Sequence, residues 1–572
     1  MKKISSYFIL FLAALVMTSC SGLNKMKQNA GLVKYDVNPK ILEVHGGMVN
    51  VEITGTFPAS YFDKKTVLTA TPVLTYAGGE TNFQTATAVV QGESVQANNP
   101  VVTYNGGTFK YSSTLPYKDA MKVSELVLRV KAVRGAKSLD FDPVKLADGV
   151  IATSTLVEKH ARSIAMKDNY VRIVPESQAA DVNYVINQYD IRPAELKAED
   201  IIALKDYIKN VSVDANRQFK SVGISSYASP DGGLDLNTRL SGNRGTTADK
   251  LLKKEFEKIE AAKATGFFSS LTTPEDWEGF KAEVEKSSIQ DKDLILRVLS
   301  MYADPEVREK EIKNMASAYE ALKTDILPKL RRSKMIINVD KVGRSDEQIL
   351  AQAKSDPKVL SLEELLYAGT LTTDANEQLS FYKAALVANP TCIRAANNIG
   401  YALMALGKTD EAIVAYEAAK LINNNDVVKN NLAFCYLVKG DNVKAKETFA
   451  SMTSATTESK WGLGVLSIID GKYDDAVNYF GSEPCFNLAL AQVLKKDVNK
   501  AKVTLDSMKE LCKCGKPSYL KAIVGARLDD RNYMLDGLRE AIGFNADWKA
   551  YAKTDLEFAK FWNDDTFKSV VQ

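Results

Sequence analysis

The sequence predicts a multidomain fold: an N-terminal β-sandwich, a central α/β domain with a helical insertion, and a C-terminal all-α solenoid. Three observations predict it. Apolar and polar residues alternate in short runs through residues 36–155, with turn signals between them. A strand pattern at Phe219–Ile224 meets the breaker Pro230-Asp231-Gly232-Gly233 and then a helical stripe. Beyond residue 361, small residues recur at a fixed spacing, the mark of stacked helix pairs. The chain of 572 residues is long enough for several cores.

Residues 1–19 read as a signal peptide. Lys2-Lys3 precede an apolar run, Tyr7 to Met17, that is too short to span a bilayer. Met17-Thr18-Ser19-Cys20 then resembles a bacterial lipobox, with Met a departure at its first position. The resemblance implies cleavage before Cys20 and acylation of its thiol and new amino group; a plain secretory signal is the alternative. Several acyl chains anchor stably where one is marginal, so the membrane becomes a partner through the N-terminal lipid. Residues 20–35 form a linker. Ser21 to Lys27 lacks the acidic run that Bacteroidetes surface lipoproteins carry, which points to the periplasmic face of the outer membrane.

Charged residues make up 25% of the chain and leave a net charge of +3, so nothing calls for nucleic acid or an acidic partner. The only histidines are His45 and His160. With no G-x-S-x-G elbow and no Cys/His pairing, the chain reads as non-enzymatic, without metal or cofactor. Five of the six cysteines lie beyond residue 390. Cys392 and Cys435 sit on helical faces as apolar fillers. Cys512-Lys513-Cys514 is too close for a typical zinc pair, and a disulfide from it to Cys485 stays open.

Within residues 36–155, Val49, Val51 and Ile53 alternate with polar residues, and Val67–Tyr76 and Leu126–Val130 are further strands. Asn105-Gly106-Gly107 predicts a hairpin between residues 101–104 and 108–111. An immunoglobulin-like sandwich follows from strands with short turns and no amphipathic helix. It carries no catalytic constellation and reads as a surface or a spacer; His45, beside Gly46-Gly47, is a turn residue.

Residues 156–180 read as a linker with strand character at Tyr170–Val174, and the central domain as 181–345. Its first strand is Val182–Asn187, and Ile201–Leu204 with Tyr207-Ile208 stripe its first helix. After the glycine loop, Asn237, Ser241 and Arg244 share one helical face. Free N–H groups and an Arg fork around one concavity favour a carboxylate. Tyr227, Gly232, Asn237, Leu240, Ser241 and Arg244 fit, without a gap, the pattern of the OmpA-like peptidoglycan-binding domain, which this stretch resembles. The resemblance implies that an Asp and the Arg hold the two ends of a diaminopimelate residue in the cell-wall peptide. Ser229 stands at the place of that Asp, and Asp231 is the only nearby carboxylate in the loop. Tyr227, Ser229, Asp231, Asn237 and Arg244 are therefore the candidate site. Residues 259–330 read as a helical insertion before the last strand, Met335–Val339, packing on the sheet edge or binding a partner.

From 361 to 572 the chain repeats. Gly400, Gly407 and Ala412 give G-x6-G-x4-A; Ala433, Gly440 and Ala445, then Gly464, Gly471 and Ala476, repeat it after 33 and 31 residues. Ala489, Lys496 and Ala501 keep the spacing without the glycine. Small residues permit close helix approach, and the middle Gly ends the first helix. This resembles the tetratricopeptide repeat, in five or six units. Asn397, Asn398, Asn430 and Asn431 fall in first helices, where carboxamides could grip an extended peptide backbone or simply stay solvated. The combined reading is an outer-membrane lipoprotein that binds peptidoglycan and recruits an unidentified protein through its repeat groove. It would serve as an envelope tether or as a secretion or fimbrial assembly scaffold. The alternative is a pure adaptor that no longer binds the wall.

Overall fold

The structure is a computed structural model that describes residues 21–508 and 513–572. The signal segment, Cys20 and Cys512 lie outside the described residues. The chain divides into two compact units: residues up to 166 together with 374–572, and residues 167–373.

The first unit begins with α1 (Ser21–Gln28), which buries Leu23 and Met26 in a β-rich core. The strands are β1 (Lys34–Asn38), β2 (Ile41–His45), β3 (Met48–Phe57), β4 (Val67–Tyr76), β5 (Gly79–Asn82), β6 (Ala88–Gly92), β7 (Val101–Val102), β8 (Gly107–Pro116), β9 (Ser124–Arg134), β10 (Lys137–Asp140) and β11 (Val144–Ile151). The alternation read from the sequence points Val49, Val51 and Ile53 inward. A sandwich predicts two sheets, yet the strands form one continuous sheet. The join is β2, antiparallel to β3 and parallel to β11. One core lies between the two arms, with Ile53, Phe57 and Phe109 from one and Leu68, Leu126 and Leu128 from the other.

The predicted hairpin does not form. β7 pairs in parallel with β6, β8 runs along the whole of β3, and only an isolated bridge links Thr103 to Gly106. An isolated two-stranded hairpin is marginal, and β3 offers the apolar side chains of β8 a longer partner.

The second unit holds β12 (Ile173–Asn183), α2 (Glu199–Val213), β13 (Arg217–Tyr227), α3 (Leu234–Glu255) and β14 (Phe268–Thr273). There follow α4 (Trp277–Lys286), α5 (Lys292–Met301), α6 (Pro305–Asn314), α7 (Ala316–Asp325) and α8 (Leu327–Leu330), then β15 (Arg332–Val342). α9 (Asp346–Ser355) and α10 (Leu362–Ala368) complete it, so the residues just beyond 361 belong here and not to the repeats. The sheet order is β12-β15-β13-β14, with β15 antiparallel to both neighbours and β14 parallel to β13. Ile201, Leu204 and Ile208 of α2 and Ala248 and Leu252 of α3 share a core with Val222, Ile224 and Ile337. The stretch read as a purely helical insertion contains β14, a six-residue edge strand. Its side chains are mostly exposed, so no apolar alternation announces it. The helices that follow bury a core of their own, including Phe280, Ile295, Leu322 and Leu330.

The first unit resumes with α11 (Ala375–Ala388) and five helix pairs. These are α12 (Ile393–Ala405) with α13 (Thr409–Ile422), α14 (Asp426–Lys439) with α15 (Asn442–Ala450), and α16 (Thr457–Ile469) with α17 (Tyr473–Phe480). α18 (Phe486–Leu494) with α19 (Val498–Asp506), and α20 (Lys516–Arg527) with α21 (Arg531–Phe544), follow. α22 (Asp547–Thr554), a 3-10 turn and α23 (Asp565–Val571) close the stack over Phe558 and Phe567. A Cβ on Gly400 would come within 2.5 Å of the Tyr416 ring, which is why the position is small. Each first helix ends on a left-handed residue: Gly407, Gly440 and Gly471, then Lys496 and Asp529 where the glycine is lost. The β-rich part packs on this stack. The His45 ring meets the Tyr473 ring edge-on at 5.1 Å, and Thr153 Oγ donates to Glu557, which pairs with Arg527.

Candidate peptide-binding groove

Two helix positions precede the small residue of each repeat by three and two. They are Asn397 and Asn398 in α12, Asn430 and Asn431 in α14, Trp461 and Gly462 in α16, and Phe486 and Asn487 in α18. All five asparagines are buried, so their amides need partners. Except for Asn430 Oδ1, which has no partner among the described residues, they find them in one another and in the chain's own residues 157–166, which run past the first helices without secondary structure of their own.

The geometry repeats. Asn398 Oδ1 accepts the Met166 N–H at 2.7 Å while its Nδ2 donates to the Met166 carbonyl at 2.9 Å. Asn431 holds Ile164 the same way, at 2.8 and 2.9 Å, and Asn487 holds Glu158 at 3.0 and 2.9 Å. In an extended chain the N–H and C=O of one residue point to the same side, and every second residue repeats it. A carboxamide carries one matching acceptor and donor. Asn397 and Asn430 donate to the Ile164 and Arg162 carbonyls at 3.0 and 3.1 Å, and each also donates to the carboxamide of the residue after it. Asn431 closes the network on Asn397 at 2.9 Å, a chain in which each bond polarises the next.

The third repeat differs. The Arg162 guanidinium lies over the Trp461 ring, 4.7 Å from its centroid. A Cβ on Gly462 would fall 2.4 Å from Phe449, so the aromatic floor forbids an Asn there. Leu156 and Val157 anchor one end of the segment in the repeat core. No side chain from Glu158 to Met166 is fully buried, so the main chain supplies the hold.

A groove open to another protein was the expectation; here residues 157–166, read as linker, occupy it. Asn397, Asn398, Asn430 and Asn431 all come together on that segment. Sequence reasoning missed Asn487 and Trp461. Asn487 stands two before Ala489 as Asn431 stands two before Ala433, so carrying the repeat register one step further finds it.

The loop of the second unit is arranged differently from the carboxylate cradle expected of it. Arg244 is 1% exposed, and its donors go to the main-chain carbonyls of Gln188 at 3.0 Å, Tyr227 at 2.9 Å and Val185 at 3.5 Å. Burial pushes its guanidinium down to about 10, against the pull of neighbouring Tyr184. Ser229 and Asp231 bond to each other, and Arg331 spans both, with Nε on Ser229 Oγ and Nη2 on Asp231, each at 3.0 Å. Lys313 of the inserted helices donates to the Asp231 carbonyl at 3.2 Å. Asn237 donates to the carbonyls of Ser229 and Gly232, tying the loop to α3. Tyr227, half-buried, lies under the Arg332 guanidinium. The five predicted residues do converge on one loop, but its Arg and its acid are partnered within the protein. A buried guanidinium must find acceptors, and the loop carbonyls are the nearest. Arg331 and Lys313 carried no motif and were not foreseen.

Among the described residues no group of three His, Cys, Asp or Glu could hold a metal ion. No described helix is long and apolar enough to cross a membrane. Cys392 and Cys435 are buried thiols, and burial pushes Cys435 up to about 12.

Residues 393–426, spanning α12 and α13, match the family model of the tetratricopeptide repeat. The pair α12–α13 is a tetratricopeptide repeat (TPR), and the helix pairs that follow it are TPR-like. A stretch of 163 residues, 27% of this chain, is 28% identical to the BBSome complex member BBS4 of Xenopus tropicalis. The match spans 32% of that protein's length. Among solved structures, a tetratricopeptide repeat protein from Parabacteroides merdae is 15% identical, with 40% of this chain and 89% of that chain covered and a TM-score of 0.29. YrrB, a TPR protein with an unusual peptide-binding site, is 16% identical over 30% and 97%, with a TM-score of 0.25. PilW, a widely conserved type IV pilus biogenesis factor, is 15% identical over 40% and 89%, at 0.22.

Proposed function

We propose that this protein is a non-enzymatic adaptor, anchored by lipid on Cys20 to the periplasmic face of the outer membrane, that recruits a protein partner through its TPR stack. One observation carries the reading: buried carboxamides of successive repeats are spaced to hold an extended polypeptide main chain, as they hold Ile164 and Met166. Main-chain hydrogen bonding of this kind is a recurrent mode of peptide recognition. In this reading the β-rich part spaces the repeats from the membrane. The second unit is a support, because Arg244 and Asp231 already have partners within that unit.

The second reading is a cell-wall tether. It is favoured by the order β12-β15-β13-β14 and by the glycine loop before α3, which fit the OmpA-like resemblance. One experiment separates them. The chain from Ser21 is mixed with purified peptidoglycan and sedimented, beside Asp231→Asn, and the wild type is also affinity-purified from outer-membrane fractions. The adaptor reading expects no sedimentation with the wall and a defined protein recovered at fixed stoichiometry. Sedimentation that Asp231→Asn abolishes overturns it in favour of the tether.

A further inference from the structure

Four features of the groove segment stand together. Its hold is almost wholly main chain, from Asn398, Asn431 and Asn487, and so is blind to side-chain identity. None of the side chains from Glu158 to Met166 is fully buried, so little apolar burial is lost when the segment leaves. It forms no helix or strand of its own that would have to be dismantled. Finally, one contact does read a side chain: Trp461 replaces the Asn of the preceding repeats and lies under Arg162. A ladder that reads only main chain cannot fix register, because a shift of two residues satisfies it equally. A cation on one indole fixes it.

We propose that residues 158–166 are a tethered stand-in for the ligand, and that the groove's partner is an extended peptide that displaces them. That peptide pairs its main chain with Asn398, Asn431 and Asn487 and sets an arginine on Trp461. The inference rests on the adaptor reading and gives it a ligand class: a non-helical segment with an arginine two residues before the one that Asn431 holds. The tether keeps the stand-in at high effective concentration, on the order of millimolar for a short flexible link, so partners of ordinary affinity are excluded until the segment is weakened or outcompeted.

The test uses the full chain from Ser21 and a fluorescently labelled synthetic peptide of residues 155–168. Ile164→Pro removes the N–H that Asn431 accepts and leaves the groove intact; Met166→Pro does the same at Asn398. Trypsin cleavage after Arg162 reports whether the segment has left. The expected result is cleavage in either proline variant and peptide binding at least tenfold tighter than to wild type. Adding Asn431→Ala abolishes binding, and a peptide with Arg162→Ala binds at least tenfold more weakly. Two results overturn the proposal: a proline variant that is cut yet binds no peptide, or variants that fold and remain uncut, which make the segment a permanent part of the stack. Either failure leaves partner recovery from outer-membrane fractions untouched, and so is distinct from failure of the adaptor reading.

Discussion

Asn431 closes both main-chain polar groups of Ile164, a residue 267 positions earlier: Oδ1 accepts its N–H at 2.8 Å and Nδ2 donates to its carbonyl at 2.9 Å. The same Nδ2 reaches Asn397 Oδ1, so one carboxamide joins the groove segment to two repeats. Asn431→Ala leaves the Ile164 N–H and carbonyl, Asn397 Oδ1 and Asn430 Nδ2 without it inside a buried network. The expected cost is about 2–4 kcal/mol, the desolvation of unpaired groups exceeding the net value of the bonds. Thermal denaturation measures the loss, and hydrogen exchange at the Ile164 amide rises well beyond the global change. Unchanged exchange there would mean that the bond pair does not hold the segment.

Lys496 occupies a left-handed turn at φ +72°, the place that Gly440 fills at φ +82° two repeats earlier. A Cβ is disfavoured in that conformation, whereas glycine adopts it freely. Lys496→Gly is therefore expected to stabilise the stack by about 1 kcal/mol, and Gly440→Ala to destabilise it by a similar amount. Paired denaturant titrations check both signs.

These two positions also mark how far the sequence could be read. The repeat spacing is periodic, so it exposes Gly407, Gly440 and Gly471, and the asparagines that stack in register with them. The groove segment has no period. Its contacts use main-chain atoms, which every sequence carries alike, so residues 157–166 look like a linker. The strand alternation of β3 was legible because one face is buried. β14 was not, because its side chains are mostly exposed. The loop around Arg244 was legible as a convergence of residues but not as a network. What decides its chemistry is Arg331, brought in from beyond the inserted helices by the pairing of β15 with β13.

Arg244 offers the sharpest contrast between a structural and a ligand-binding arginine. Its donors go to the carbonyls of Gln188, Tyr227 and Val185, the last of which also accepts the Gln188 N–H. Arg244→Met is expected to destabilise the second unit by about 3 kcal/mol, because the Gln188 and Tyr227 carbonyls lose their guanidinium donor. Asp231→Asn keeps the Ser229 contact and weakens only the pair with Arg331. A smaller loss, about 1–2 kcal/mol, is expected, since Arg331 retains its bond to Ser229. Chemical denaturation followed by tryptophan fluorescence ranks the two, and an inverted order would show that the acid, not Arg244, organises the loop.

Lys122 sets a pH dependence in the first unit. Its ammonium lies over the Tyr551 ring, and Nζ has no hydrogen-bond partner among the described residues. Burial pushes it down from 10.5 to about 8, against the pull of Asp555 and Asp119. Between those two values the unfolded chain binds a proton that the folded chain has released, so this group makes stability rise with pH from about 8 to about 10.5. Below about 8 the buried charge is a constant burden. Tyr551, held protonated by burial, acts in the opposite sense above the ordinary tyrosine range and turns the curve down. Lys122→Met is expected to raise stability at pH 7 and to remove the rise above pH 8, as measured by thermal denaturation at half-unit steps. A variant that is less stable at pH 7 and keeps the slope would show that the ammonium's attraction to the ring outweighs its desolvation.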